Sequence, residues 1–200
     1  MQQNTTDSEK LIEGLGKAGG GLSKGRAVFL KYMAFPLLNP LISWERALAI
    51  FEKEGDKIVR LASQPPREKL FERVLVPKLF GLEDNSRYYS VAMVLRHLLT
   101  VGLALQTRIP VLSQGKSLEK EVKIEEYKPY MDIDDDIVGI YKDFLLHFRT
   151  NIEKDLGNIY LENRHEHPWF GELRAKDWAV MGAIHQIVHR RQLEAIIQVL

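Results

Sequence analysis

The stretch Arg174 to Leu200, RAKDWAVMGAIHQIVHRRQLEAIIQVL, decides the fold. Trp178, Gly182, His185, His189, Gln192 and Ile196 recur in it at alternating steps of four and three. That period lays them along one face of a long α-helix, and the apolar residues among them turn the face towards a core.

Three further helical patterns precede it. The first runs from about Ser43, a good N-cap, to Ala62, with Trp44, Ala47, Leu48, Phe51, Ile58 and Leu61 on its apolar face. The second runs from about Ser86 to Thr107 and is expected to end before Pro110. It is apolar on most of its circumference, which makes it central. The third spans about Asp135 to Leu156. Asp134, Asp135 and Asp136 lie where the helix dipole favours negative charge, Ile137, Ile140, Tyr141, Phe144, Phe148 and Ile152 form the inner stripe, and Gly157 ends it. No internal repeat and no run of strands able to build a sheet is present. Long connections join helices one to two and two to three, the latter with a briefly extended Glu121 to Glu126. The expectation is an all-α protein, a four-helix bundle with long crossover connections.

Residues 1–25 hold six glycines and read as a flexible N-terminal segment ahead of one domain over 26–200. Arg26 to Leu38 is apolar enough to pack on that domain, although Pro36 and Pro40 limit its regularity. Gly14-x-Gly16-x-x-Gly19 formally matches a dinucleotide fingerprint, but no strand precedes it and it is set aside.

Composition narrows the function classes. A net charge of +1 gives no general attraction for nucleic acid. The absence of cysteine excludes disulfides, thiolate metal sites and a cysteine nucleophile. The N-terminus lacks a signal peptide's apolar core, and Val91 to Leu105 is too short to span a bilayer, so a cytoplasmic protein is expected.

His185 and His189 are one helical turn apart, and both imidazoles can reach one ion. His97 lies mid-helix between Val94 and Val101. A buried imidazole needs a partner, which is either a hydrogen bond in the core or a shared cation. Neutral imidazole suits zinc, nickel, iron and copper. Three protein nitrogens leave coordination positions open, where a metal lowers the pKa of a bound water or thiol.

Other candidates are weaker. His147 on helix three is the alternative ligand. His165 and His167 lie in the loop before helix four, as a fourth ligand or proton shuttle, or as solvated caps. Trp169, Phe170 and Trp178 pack that junction or wall a substrate cavity. Arg190 and Arg191 hold an acidic group of the protein or substrate, or face solvent. Asp132 to Asp136 lacks the Gly and distal Glu of an EF-hand loop and reads as a helix start.

Two segments carry a family resemblance: Tyr88 to Thr100, YYSVAMVLRHLLT, and the run from His167, HPWFGELRAKDW, followed by IHQIVHRRQ from Ile184. The lead-in HP-x-FG-x-L-x-x-x-(D/E)W followed by H-x-x-x-H-x-x-Q resembles the DinB/YfiT-like superfamily of metalloenzymes. The resemblance implies a metal-binding four-helix bundle, often dimeric, with His97, His185 and His189 as ligands of a divalent zinc, nickel or iron ion. It also implies a thiol S-transferase or hydrolase acting on a small-molecule substrate such as a low-molecular-weight thiol. The Gly-rich N-terminus and the long connection between helices two and three depart from compact members. A non-catalytic bundle in which the metal or the histidines organise the core is the other function. The residues between the paired histidines, Gln186, Ile187 and Val188, exclude the glutamate of a zinc peptidase helix.

Overall fold

A computed structural model describes residues 24–129 and 132–200. The expected flexible segment over 1–25, apart from Lys24 and Gly25, lies outside the described residues, and so does the Gly14/Gly16/Gly19 match.

Among the described residues the protein is all-α in character, with four long helices and two short β-ribbons. Helix α1 is Trp44–Ala62. Its expected N-cap is in place, since Ser43 Oγ accepts from the Arg46 N–H at 3.3 Å.

Helix α2 is Val91–Ser113, displaced towards the C-terminus from its expected span. Ser90 Oγ caps it by accepting from the Met93 N–H at 3.1 Å. The residues expected to open it instead form a tight turn, Asp84–Arg87, and strand β2, Tyr88–Tyr89, which pairs antiparallel with β1, Val74–Leu75. That strand partner is distant in sequence and overrides local propensity. Pro110 lies inside the helix rather than beyond it. It forfeits one backbone donor near the end, while Ser113 Oγ and the Gln114 N–H both donate to its carbonyl and Ile109 and Pro110 are buried.

Helix α3 is Ile137–Glu153 and ends before Leu156. The acidic run before it is a helix start as expected, with Asp134 Oδ1 accepting from the Asp136 N–H at 2.7 Å. Ile140 is exposed and does not belong to the inner stripe; the other five stripe residues are buried. The expected extended piece within 121–126 does not form a strand: Lys123 has extended backbone, but Ile124–Tyr127 is a 3-10 turn.

Helix α4 is Ala175–Ile197. Asp177 accepts from the Arg174 backbone N–H at 3.0 Å, so a carboxylate occupies the positive end of the helix. The segment before α4 is not a plain loop. His165–His167 (β3) pairs antiparallel with Gly171–Leu173 (β4). Pro168 presets the turn, the Phe170 N–H donates to the His167 carbonyl, and Gly171 takes the left-handed φ of 78°.

The helices pack in a ring in which α1 touches α4, α4 touches α2, α2 touches α3, and α3 touches α1. Phe51 of α1 stacks on Phe148 of α3 with centroids 3.8 Å apart. Gly182 lets α4 approach closely, since a Cβ there would meet Leu105 Cδ1 at 2.6 Å. Ahead of the ring, Lys24–Leu41 is helical, with π pitch at Leu30–Ala34 and 3-10 pitch at Asn39–Leu41 around Pro40. It packs less fully than expected. Phe35 is buried and meets Phe170, but Val28, Phe29, Tyr32, Met33, Leu37 and Leu38 are exposed. Among the described residues no helix is long and apolar enough to cross a membrane.

Candidate metal centre

Helices α2 and α4 run antiparallel, because His97 of α2 lies against His185 and His189 of α4 while Arg108 lies against Trp178. The three histidines read from the sequence therefore meet. Their rings have centroids 4.4–4.9 Å apart, and one nitrogen from each lies within 4.8 Å of the others. His97 Nε2 is 3.0 Å from His185 Nε2.

The outer nitrogens of two of them are occupied. His97 Nδ1 lies 2.6 Å from the Tyr127 carbonyl oxygen, which can only accept, so Nδ1 carries the proton. His189 Nδ1 lies 2.7 Å from Gln192 Oε1, whose amide Nε2 donates to the Ser86 carbonyl at 2.7 Å. With the outer N–H groups committed, both rings turn unprotonated Nε2 atoms inward. This outer bonding fixes tautomer and orientation as it does for metal-ligating histidines.

The donor set fits a divalent cation. Two imidazoles on one ion have nitrogens about 3 Å apart for metal–nitrogen bonds of about 2.0–2.1 Å. All three rings are held neutral, the form that ligates. Burial pushes His97 down to about 4, with the neighbouring Lys128 charge adding to the effect. Burial and the other histidines hold His185 well below the usual range, and burial and His97 do the same for His189.

The histidines open onto a cavity of about 270 Å³ between α2 and α4, walled largely by apolar side chains such as Val101, Leu105, Met181 and Val188. Small-molecule sites have this character. Its polar lining includes Glu83, which ion-pairs with Lys128 beside the histidines. Lys128 Nζ also donates to Ser86 Oγ at 2.9 Å.

His167 reaches the same cavity from the β-ribbon. It is buried rather than solvated, it is not part of the three-histidine group, and its Nδ1 accepts from the Trp169 N–H at 3.1 Å. Burial and Arg108 push it down to about 3, which makes it a poor base. His165 is buried as well and stacks on Trp178 with centroids 5.9 Å apart, but it does not line the cavity, and its Nε2 lies 2.8 Å from the Lys120 carbonyl oxygen. His147 is exposed and bonded to the carbonyl of its own helix at Asp143, so it is not a ligand candidate. It stands one residue before Phe148, a rotation of about 100° that takes it off the buried stripe. Trp169, Phe170 and Trp178 wall the cavity. Arg190 pairs with Glu54 and Glu194, while Arg191 borders the cavity.

The Tyr127 carbonyl, the Glu83–Lys128 pair and Arg108 were not evident in the sequence as parts of the site. Only Arg108 carried a signal, since eleven residues are about three helical turns and place it on the face of His97. No family model matches the chain, and neither a curated protein nor a solved structure matches it.

Proposed function

We propose that this chain is a four-helix bundle of the DinB-like type in which His97, His185 and His189 hold a divalent zinc, nickel or iron ion, and that it acts as a metal-dependent thiol transferase or hydrolase. The observation that carries the proposal is the 3.0 Å approach of His97 Nε2 to His185 Nε2 with the outer nitrogens of His97 and His189 already committed. A bound cation supplies Lewis acidity and lowers the pKa of a thiol or water brought to it. The chain's own part is to keep three imidazoles neutral and aimed, and to hold the reacting molecule against them in an apolar cavity. The open cavity supports a reactive site over a closed structural one.

One observation favours a second function. A 3.0 Å nitrogen pair is also an N–H···N hydrogen bond, as in a non-catalytic bundle whose histidines bond one another. Elemental analysis of the purified protein separates the two. Wild type is expected to carry about one metal ion per chain, lost in His97→Ala and His189→Ala. A wild type that carries none and takes up none from zinc or nickel solutions overturns the metalloenzyme reading in favour of the hydrogen-bonded core.

A further inference from the structure

The cavity has a second polar end. Along α2, Val101 and Leu105 lead from His97 to Arg108, about 16 Å away along the helix axis. The Arg108 guanidinium lies over the Trp178 ring, 5.0 Å from its centroid, and 5.4 Å from that of Tyr127, whose hydroxyl it also contacts. Among the described residues Arg108 has no carboxylate partner. Glu126, whose charge it feels, is held on the surface by Lys120 at 2.6 Å. A guanidinium without a counter-ion in an apolar cavity is a strong donor array for a planar oxyanion.

A second observation points the same way. Trp178 is 1% exposed and walls the cavity, and its indole Nε1–H has no acceptor among the described residues. Buried N–H groups are rarely left unpaired, so this one calls for an acceptor that the protein does not provide. His167, with Nδ1 accepting, carries its proton on Nε2 and adds a further donor to the cavity wall.

We propose that this end of the cavity binds the carboxylate of a small amphipathic acid, with Arg108 as its counter-ion and Trp178 Nε1–H and His167 Nε2–H as donors. The acid's apolar body lies along Val101 and Leu105 and its other end reaches the histidines. A single cationic side chain matches a monoanionic carboxylate better than a phosphate dianion. As a statement about the substrate this rests on the proposed metal-centre function; as a binding site it does not need the metal.

Calorimetric titration with octanoate, octanamide and octyl phosphate tests the site on chelator-stripped and zinc-loaded protein. Octanoate is expected to bind both forms, with octanamide at least tenfold weaker and octyl phosphate no tighter. Arg108→Gln is expected to lose the preference for acid over amide, Arg108→Lys to keep part of it, and Trp178→Phe to weaken octanoate severalfold. Equal binding of acid and amide, or octanoate affinity unchanged in a folded Arg108→Gln, overturns the proposal. Tighter binding of octyl phosphate overturns the carboxylate assignment, and octanoate binding only to the zinc-loaded form places the acid on the metal instead. Zinc uptake by the same samples is read separately, so loss of the metal reading and loss of the anion site give different results.

Discussion

Gln192 fixes His189 from behind: its Oε1 lies 2.7 Å from His189 Nδ1, and its Nε2 donates to the Ser86 carbonyl at 2.7 Å. The amide is fully buried, so it is locked by these two bonds and locks the imidazole in turn. Gln192→Met keeps the volume and removes both bonds. Zinc affinity, measured by competition with a chromophoric chelator, is expected to fall about 10–100-fold while the helical content is retained. An unchanged affinity would mean that the ring is aimed by packing alone.

The histidines also set a pH dependence. His97 is pushed down to about 4 in the folded protein against about 6.5 unfolded, and His185 and His189 are also held well below 6.5, chiefly by burial. The unfolded chain therefore binds more protons below pH 6.5. The corresponding stability is complete above that value and is lost as pH falls from about 6.5 through about 4. Metal-free protein is expected to melt at steadily lower temperature over that range, and a His97→Gln/His185→Gln/His189→Gln variant to show a flatter profile. Differential scanning calorimetry at fixed ionic strength checks this, and parallel profiles would show that other groups carry the acid sensitivity.

The convergence of the three histidines was legible because helical spacing fixes what lies on a face, and an imidazole between Val94 and Val101 must find a partner there. What failed to show depends on the rest of the chain. Tyr88 and Tyr89 are drawn out of the helix by Val74 and Leu75, which local pattern does not reveal. Pro110 stands near the helix end, where it removes one backbone donor and its carbonyl accepts from both Ser113 and Gln114. The acceptor for His97 is a backbone carbonyl at Tyr127, and a carbonyl has no signature in side-chain identity. Gln192, by contrast, stood three residues after His189, where a helix always brings side chains together.

The ribbon that carries His167 into the cavity depends on Gly171. Its φ of 78° is left-handed, and a Cβ there would come within 2.9 Å of Lys31 Cε. Gly171→Ala is expected to cost about 1–2 kcal/mol from backbone strain alone. Urea denaturation measures the loss. A variant as stable as wild type would show that the turn relaxes to another conformation.

Across the ring from α3 to α4, Tyr141 donates its hydroxyl to Gln186 Oε1 at 2.9 Å, with both side chains buried. The Gln186 Nε2 has no partner among the described residues, so the amide already carries one unmet group. Tyr141→Phe strips its acceptor bond as well and is expected to destabilise by about 1–3 kcal/mol. Adding Gln186→Met removes the remaining polar group while keeping its volume, and the double variant is expected to return to within about 1 kcal/mol of wild type. Gln186 adjoins His185 but makes no bond to it, so metal content should be unaltered in both variants. Chemical denaturation with metal analysis on the same samples decides the matter. A double variant no better than Tyr141→Phe, or one that loses its metal, would show that Gln186 serves the histidine site rather than the packing of the core.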